Sequence, residues 1–404
     1  MLTKKIDLRT INNCNLQIKL PASKSISNRA LILDALANSE YEIENLADCD
    51  DTNVLLYALD SNISTFDIGA AGTSMRFLTA FLAKTMGEWI VTGSDRMKQR
   101  PIKILVDALN TVGAKIEYIE KEGFPPLRIF GSALIGGEIH LKGNVSSQYI
   151  SALMMIAPTM LEGLKIVLEG KIISKPYINM TIQMMEEYGA FVDFRDNIID
   201  IKPQEYHPIP YKVESDWSAA SYWYEILAIT GKGEIFLKGL KENSYQGDSR
   251  VADLFIDLGI RSTYMKEGVL LTHTKKHISK MEYDFSDEPD LTQTFAVTCC
   301  LMGIPFHFKG LESLKIKETD RITALINELA KLGFIIEKPN ENELAWNGKI
   351  QEAKTEISIS TYDDHRMAMA FAPASLKKAI HIENPEVVSK SYTKFWADFE
   401  RLKE

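Results

Sequence analysis

Small, turn-forming residues stand beside cationic side chains in two segments near the start of the chain. The segment PASKSISNRALIL contains Lys24, Ser25 and Arg29, and its proline and serines are typical of a loop that leads into a helix. The segment GAAGTSMRFL contains Gly72, where the missing side chain allows a ligand to approach the backbone closely. Because the N–H groups at a helix N-terminus attract anions, both segments predict contacts to an anionic ligand.

Three further segments of the first half place hydroxyl, amide or guanidinium groups next to a proline or a helix start. They are GSDRMKQRPI, NVSSQYISA and IISKPYI. Their candidate binding residues are Arg100, Ser146, Ser147, Gln148, Ser174 and Tyr177.

Three segments of the second half also contain cationic side chains close to polar residues. They are LKIKETDRI, YDDHRMAMAFA and VVSKSYTKF. Their candidates are Lys317, Glu318, Arg321, His365, Arg366 and Lys390. Taken singly, such residues are most often solvated charges or helix caps. Taken together, they predict a small substrate that carries several negative charges, with acids close enough to move protons.

The overall composition limits the classes of protein that fit. The chain has 404 residues, 45% of them hydrophobic, and a net charge of −9, which disfavours general nucleic-acid binding. The motif searches find no phosphate-binding loop, no dinucleotide fingerprint and no zinc spacing. Four cysteines without pairing motifs, no visible signal peptide and no apolar run long enough for a membrane span predict a cytoplasmic protein with one or two domains.

A weak internal repeat predicts an α/β architecture. Gly113, Gly189, Gly259 and Gly333 are separated by 76, 70 and 74 residues. Each follows apolar residues seven, four and one positions earlier, which is the spacing of an amphipathic helix, and each precedes a strand-like run. We therefore expect repeated units of one or two helices and several strands, in which the glycine caps a helix in the left-handed conformation.

The motifs SKSISNRALIL, KETDR and DHRMAM resemble those of the 5-enolpyruvylshikimate-3-phosphate synthase family, and the resemblance runs nearly end to end. It implies an α/β fold with two similar domains, each of three βαβαββ units (an inside-out α/β barrel), and an active site in the interdomain cleft. One domain, on the side of shikimate 3-phosphate, would span residues 22–213. The other, on the side of phosphoenolpyruvate, would combine residues 1–21 with 214–404.

The resemblance also implies the reaction, which transfers the enolpyruvyl group of phosphoenolpyruvate to the 5-hydroxyl of shikimate 3-phosphate without metal or cofactor, in a protein expected to be monomeric. The implied ligands of shikimate 3-phosphate are Lys24, Ser25, Arg29, Ser146, Ser147, Gln148, Ser174, Tyr177, Asp290, Ser313 and Lys317. Those of phosphoenolpyruvate are Lys24, Gly72, Arg100, Gln148, Arg321, His365, Arg366 and Lys390.

Three residues would be catalytic in this family. Asp290 would take the proton of the 5-hydroxyl, Glu318 would protonate the methylene carbon, and Lys24 would share the proton transfers. Gly72 would leave room for the inhibitor glyphosate, so that Gly72→Ala should weaken glyphosate more than phosphoenolpyruvate. Ala70 stands where many members have Asn, and Ser313 stands near another such position.

Two alternatives stay open at this point. The sister enolpyruvyl transferase, which acts on UDP-N-acetylglucosamine, shares the fold, but its usual loop cysteine has no obvious counterpart here. A non-catalytic phosphometabolite-binding protein is the second alternative. Asp290 and Glu318 disfavour it, because a protein that only binds anions would gain from losing these acids.

Overall fold

The chain folds into two compact units in a computed structural model that describes residues 2–11, 14–276 and 278–403. One unit combines Met1–Ala22 with Glu214–Glu404, and the other is the continuous segment Ser23–Val213. We call them the discontinuous unit and the inserted unit. Among these residues no helix is both long and apolar enough to cross a membrane.

The secondary structure alternates between helices and short strands. The α-helices are α1 (Lys24–Leu36), α2 (Asp50–Asp60), α3 (Gly72–Lys84), α4 (Lys103–Thr111), α5 (Ser147–Ile156), α6 (Lys175–Glu187), α7 (Trp217–Thr230), α8 (Val251–Leu254), α9 (Thr292–Met302), α10 (Arg321–Leu332), α11 (His365–Phe371) and α12 (Phe395–Glu400). The strands are β1 (Thr3–Ile6), β2 (Cys14–Lys19), β3 (Thr65–Asp67), β4 (Gly87–Thr92), β5 (Lys115–Tyr118), β6 (Leu127–Gly131), β7 (Gly137–Lys142), β8 (Leu164–Glu169), β9 (Asp193–Arg195), β10 (Ile198–Ile201), β11 (Gly233–Lys238), β12 (Ile260–Met265), β13 (Gly268–His273), β14 (Met281–Asp284), β15 (Phe306–Lys309), β16 (Leu344–Trp346), β17 (Ser358–Ile359) and β18 (Ile380–Glu383).

The inserted unit contains two sheets of identical topology. Their strand orders are β3-β4-β6-β5 and β7-β8-β10-β9. In each, the first two strands are parallel and are joined by a helix, α3 or α5, and the last two form an antiparallel hairpin that follows a second helix, α4 or α6. Both sheets are therefore βαβαββ units, because a parallel pair needs a crossover helix and an antiparallel pair needs only a turn.

The discontinuous unit repeats the same pattern with one interruption. Strand β2 pairs in parallel with β11, from Cys14↔Gly233 to Lys19↔Lys238, although the whole inserted unit lies between them in the sequence. The resulting order is β12-β13-β11-β2, and shorter sheets follow with orders β14-β15-β16 and β1-β18-β17. These small separate sheets, each carrying its helices, confirm the predicted α/β fold class.

The core of the discontinuous unit forms around two helices, α7 and α9, that are buried on nearly all sides. All but two residues of α7 are buried, and α9 is buried from Thr292 to Cys300. Phe295 on α9 packs against Phe255 and Phe285, with ring centroids 4.8 and 5.5 Å apart. Such aromatic contacts fix α9 firmly, and with it the residues that immediately precede the helix.

The four repeat glycines all adopt the left-handed backbone expected of helix caps, with φ between 85° and 105°. Two of the secondary-structure elements predicted beside these glycines differ from expectation. The helix before Gly259 is only the four-residue α8, and after Gly333 the chain forms isolated bridges, Phe334↔Ile350 and Glu337↔Ala345, in place of a strand. The register explains the second difference: Phe334 and Glu337 are three positions apart, whereas Ala345 and Ile350 are five positions apart, so no continuous ladder forms between the two bridges.

Candidate active site

Helix N-termini carry most of the predicted binding residues of the inserted unit. Helix α1 begins at Lys24 and α3 begins at Gly72. Helix α5 begins one residue after Ser146, whose hydroxyl accepts a hydrogen bond from the Gln148 N–H at 3.3 Å. Ser174, with φ 54°, immediately precedes α6. The first turn of each helix therefore has backbone N–H groups without an intrahelical acceptor, an arrangement that is able to bind an anion.

Arg29 is a buried cation held in a fixed orientation. Its Nε donates to Thr181 Oγ1 at 2.7 Å, Nη2 donates to Ser151 Oγ at 3.0 Å, and Nη1 donates to the Ser25 carbonyl at 2.9 Å. Burial lowers the pKa of Arg29 to about 10, so the guanidinium stays charged at neutral pH. The sequence reasoning missed Ser151 and Thr181, whose signal is a hydroxyl on an otherwise apolar helix face.

Tyr177 lies beside this guanidinium. The Arg29 Cζ atom lies 6.0 Å from the centre of the Tyr177 ring, and Nη2 lies 3.4 Å from the Tyr177 carbonyl. The structure thus brings Ser25, Arg29 and Tyr177 together.

Lys24 forms a largely buried ion pair with a residue that the sequence reasoning did not select. Its Nζ lies 3.1 Å from Asp51 Oδ2, and the two side chains are 13% and 4% exposed. Asp51 lies in the first turn of α2. A buried charge needs a partner, so Asp51 holds the Lys24 ammonium group at the start of α1.

Gly72 and Arg100 are in close contact. A Cβ atom built on Gly72 would lie 2.5 Å from Arg100 Nη1 and 2.9 Å from Cζ, so only glycine leaves the guanidinium in place. Gln148 reaches the same helix start, where its Nε2 donates to Thr73 Oγ1 at 3.2 Å. Arg76 donates to the Gly72 carbonyl at 3.0 Å and stiffens the turn. These contacts bring together Gly72, Arg100 and Gln148.

Arg321 is the centre of the polar cluster in the discontinuous unit. This first residue of α10 is 1% exposed, and its guanidinium contacts three carboxylates. Nε donates to Asp364 at 2.7 Å, while Nη1 donates to Asp290 and Nη2 to Glu318, each at 2.9 Å. Burial alone would lower the pKa of Arg321, but the three acids raise it above its usual value.

Asp290 is surrounded by cations. Arg366 Nη2 lies 2.7 Å from Oδ2, and Lys317 Nζ lies 3.6 Å from Oδ1, beside the Arg321 contact. Burial would raise the pKa of Asp290, but Arg366, Lys317 and Arg321 outweigh it and hold that pKa well below its ordinary value. Asp290 is therefore ionised and acts as a hydrogen-bond acceptor.

The remaining candidates of this unit lie at different distances from the cluster. Lys390 Nζ lies 3.9 Å from Glu318 Oε1, and the buried His365 ring lies 3.9 Å from Asp364. Asp364 caps α11 by accepting the Arg366 N–H at 2.9 Å. Within the described part of the chain, no hydrogen bond or ion pair joins Ser313 to these residues.

Asp248 and Ser218 belong to the cluster, although the sequence reasoning selected neither. The Ser218 hydroxyl donates to Asp248 and lies 3.4 Å from Arg366 Nη2. Burial, reinforced by the nearby Asp290 charge, raises the pKa of Asp248 to about 7. Across the described ranges, no three His, Cys, Asp or Glu side chains are arranged to hold a metal ion.

The raised pKa of Asp248 predicts a pH dependence of stability. Between pH ~4 and ~7 the folded protein binds a proton that the unfolded chain has lost, so stability falls as pH rises through this window. Asp248→Asn should remove up to about 1.4 kcal/mol per pH unit from that slope. Urea unfolding at pH 5 and pH 8 measures it, with the exposed Asp253→Asn as control. Equal slopes in wild type and Asp248→Asn would contradict the assignment.

Comparisons with known proteins identify a family for the whole chain. A family model described as EPSP synthase (3-phosphoshikimate 1-carboxyvinyltransferase) matches residues 8–62 and 57–399. A 3-phosphoshikimate 1-carboxyvinyltransferase of Bacteroides fragilis is 54% identical over 386 residues, which cover 95% of this chain and 94% of the relative. One from Vibrio cholerae serotype O1 is 34% identical over 430 residues, with 99% of each chain covered.

A solved structure shows the same fold. The EPSP synthase of Acinetobacter baumannii superimposes with a TM-score of 0.75 and 20% sequence identity, covering 99% of this chain and 98% of that one. With a family model across most of its length and relatives well above 30% identity, the chain belongs to the EPSP synthase (3-phosphoshikimate 1-carboxyvinyltransferase) family.

Proposed function

We propose that this protein transfers the enolpyruvyl group of phosphoenolpyruvate to the 5-hydroxyl of shikimate 3-phosphate and releases phosphate, a step of the shikimate pathway to chorismate and the aromatic amino acids. One observation carries the proposal: the ionised carboxylate of Asp290 is held between Arg321 and Arg366. Asp290 can act as a base, and each arginine can bind a carboxylate or a phosphate through two parallel hydrogen bonds. This combination suits a reaction that joins an alcohol to a phosphorylated carboxylate.

The inserted unit supplies the ligands of shikimate 3-phosphate in this proposal. Arg29, with Ser25 and Tyr177 beside it, binds the carboxylate. The hydroxyls at the starts of α5 and α6, from Ser146, Ser147 and Ser174, bind the phosphate, because each can donate to one phosphate oxygen while the helix N-terminus attracts the charge.

In this proposal, phosphoenolpyruvate binds to cations that form ion pairs with acids in the structure. Arg321, Arg366 and Lys390 contact Asp290 or Glu318. Lys24 contacts Asp51, and Arg100 lies against Gly72. An incoming dianion would take over part of these contacts, so binding exchanges partners without first creating an unpaired charge.

This exchange gives Asp290 its function as a base. In the free protein the surrounding cations hold its pKa well below the ordinary value, which makes it a weak base. When Arg321 and Arg366 turn to the substrate, Asp290 loses part of that stabilisation and its pKa rises toward a useful range. It then accepts the proton of the 5-hydroxyl as the hydroxyl oxygen bonds to C2 of phosphoenolpyruvate.

Glu318 performs the second proton transfer. When Arg321 and Lys390 turn to the substrate, Glu318 takes up a proton from solvent and gives it to the methylene carbon, which makes C2 electrophilic. It later takes a proton back from the resulting methyl group while the bond between C2 and the phosphate oxygen breaks, and the proton held by Asp290 passes to the departing phosphate. Lys24 and the arginines stabilise the negative charge of the departing phosphate. The Arg321 contact at 2.9 Å and Lys390 at 3.9 Å fix the position of the Glu318 carboxylate.

Two finer expectations remain proposals. A cytoplasmic location is supported by Cys14, Cys49, Cys299 and Cys300, which are all free and buried. The expectation of a monomer stays a prediction.

The substrate assay tests the function directly. Phosphate release from phosphoenolpyruvate should require shikimate 3-phosphate, and UDP-N-acetylglucosamine should not replace it. Turnover with the UDP-sugar would assign the chain to the sister activity. Saturable binding of shikimate 3-phosphate without turnover would favour a non-catalytic binding protein.

Glu318→Gln should keep the affinity for shikimate 3-phosphate and lower kcat about a hundredfold or more, because an amide cannot transfer the proton. Steady-state kinetics with each substrate varied measures both effects. Glu312→Gln, an acid outside the cluster in the same region of the chain, is the control. A kcat near that of wild type would remove Glu318 from the mechanism.

Gly72→Ala tests the contact with Arg100. Because the new methyl group would overlap the guanidinium, we expect Arg100 to shift and the KM for phosphoenolpyruvate to rise several-fold. The inhibition constant of glyphosate should rise further still, as the sequence predicts. Gly69→Ala, where a Cβ meets nothing within 4 Å, measures the effect of backbone strain alone. If Gly69→Ala reproduces both changes, the steric explanation is wrong.

A further inference from the structure

A buried carboxylate on α10, ten residues after Glu318, is connected to the segment that carries His365 and Arg366. Glu328 is fully buried, and Arg321 lies seven residues earlier on the same helix. Seven residues are about two helical turns, so both side chains project from one face, about 10 Å apart along the axis.

The chain segment 360–364, here called the 360–364 loop, runs along this face. At one end, the Ser360 N–H donates to Glu328 Oε2 at 3.0 Å. At the other end, Asp364 accepts from Arg321 at 2.7 Å. Between them, the Tyr362 hydroxyl donates to Glu328 Oε1 at 2.8 Å. Glu328 and Arg321 thus hold the two ends of one loop on one helix.

The loop needs such support because its backbone is strained. Tyr362 and Asp363 have φ values of 55° and 54°, a left-handed conformation that non-glycine residues adopt only at an energetic cost. Asn384 also supports the loop, since its Nδ2 donates a hydrogen bond to Asp363 at 2.6 Å. Burial, followed by the contact with Glu328, raises the pKa of Tyr362 to about 12, so its hydroxyl keeps the proton that it donates.

Glu328 also has an ion-pair partner, Lys331. Lys331 Nζ lies 2.6 Å from Oε2 and donates to the Ser358 carbonyl at 2.8 Å. From the opposite side, Glu383 on β18 accepts from the hydroxyls of Ser358 and Ser360 at 2.7 and 2.5 Å. Carboxylates on two different elements therefore fix the start of the loop.

We propose that Glu328 is a positioning residue that, through Ser360 and Tyr362, sets the place of Asp364 and Arg366 and so the geometry of the phosphoenolpyruvate site. This inference rests on the proposed function and extends it to a residue without substrate contact. Asp364 caps α11 and pairs with Arg321, so a displaced loop would move the guanidiniums of Arg321 and Arg366 together.

Two mild substitutions test the proposal. Glu328→Gln keeps the shape but removes the charge and one acceptor, and Tyr362→Phe removes a single hydroxyl from a ring that is 37% exposed. The KM for phosphoenolpyruvate should rise about tenfold in Glu328→Gln and a few-fold in Tyr362→Phe, since small misplacements of binding groups have effects of this order or larger. The KM for shikimate 3-phosphate should stay within about twofold.

Because Tyr362 acts through Glu328, the double variant should be no worse than Glu328→Gln alone. Tyr224→Phe is the matched control: it removes a buried hydroxyl of the same unit, bonded to Ser262 at 2.6 Å, and has no link to the loop. Its melting temperature should fall at least as far as that of Tyr362→Phe, without a change in either KM.

Hydrogen exchange of the backbone amides of residues 358–366 gives a readout that needs no activity. Exchange should be faster in both loop variants and unchanged in Tyr224→Phe. Unchanged exchange, an unchanged KM for phosphoenolpyruvate, or an equal rise for both substrates would overturn the proposal. Absence of turnover in the wild-type protein would instead refute the proposed function. In that case the hydrogen-exchange measurement alone would show whether Glu328 and Tyr362 hold the 360–364 loop in place.

Discussion

A single buried guanidinium, that of Arg321, organises the polar half of the discontinuous unit. It contacts Asp364, Asp290 and Glu318, which come from three separate segments of the chain. A buried cation with too few partners would be costly, and three unpaired carboxylates would be costlier still. Because the guanidinium and the carboxylates each need the others as partners, their contacts hold the segments in place. These segments include the strained turn before Asp364 and the short helical turn that carries Asp290.

The inserted unit presents anion-binding groups in a different way. It uses the starts of α1, α3, α5 and α6, where unpaired backbone N–H groups coincide with serines, a glycine or a lysine. Two of these helices, α3 and α5, are the crossover connections of βαβαββ units. The repeat therefore creates helix N-termini at the ends of parallel strands, and the side chains at those positions determine what they bind.

Acids pair with several of the candidate site cations in each unit. Asp290 and Glu318 pair with Arg321 in the discontinuous unit, and Asp51 pairs with Lys24 in the inserted unit. This pairing keeps the cations oriented and avoids a large uncompensated positive charge in an otherwise acidic protein. It also couples substrate binding to acid–base chemistry, because a carboxylate that loses its cations becomes a better base.

The sequence by itself determined the local features of this protein. Spaced apolar residues and glycines predicted the repeated α/β units, and SKSISNRALIL, KETDR and DHRMAM indicated the family and most candidate residues. These signals are local, since a helix start or a cap depends on a few adjacent residues. The same local reasoning predicted a strand after Gly333, where the chain forms only isolated bridges, because the register of the partner segment 345–350 cannot be read from local sequence.

Only the tertiary structure decided which charges are partners. The contacts of Arg321 with Asp290, of Lys24 with Asp51 and of Glu328 with Tyr362 join residues that are 27 to 34 positions apart. No sequence pattern specifies such pairs, because they depend on how helices and sheets pack. The pKa values of Asp290 and Asp248 differ for the same reason: burial and the charges brought close by folding, not the residue type, set the free energy of each ionised carboxylate.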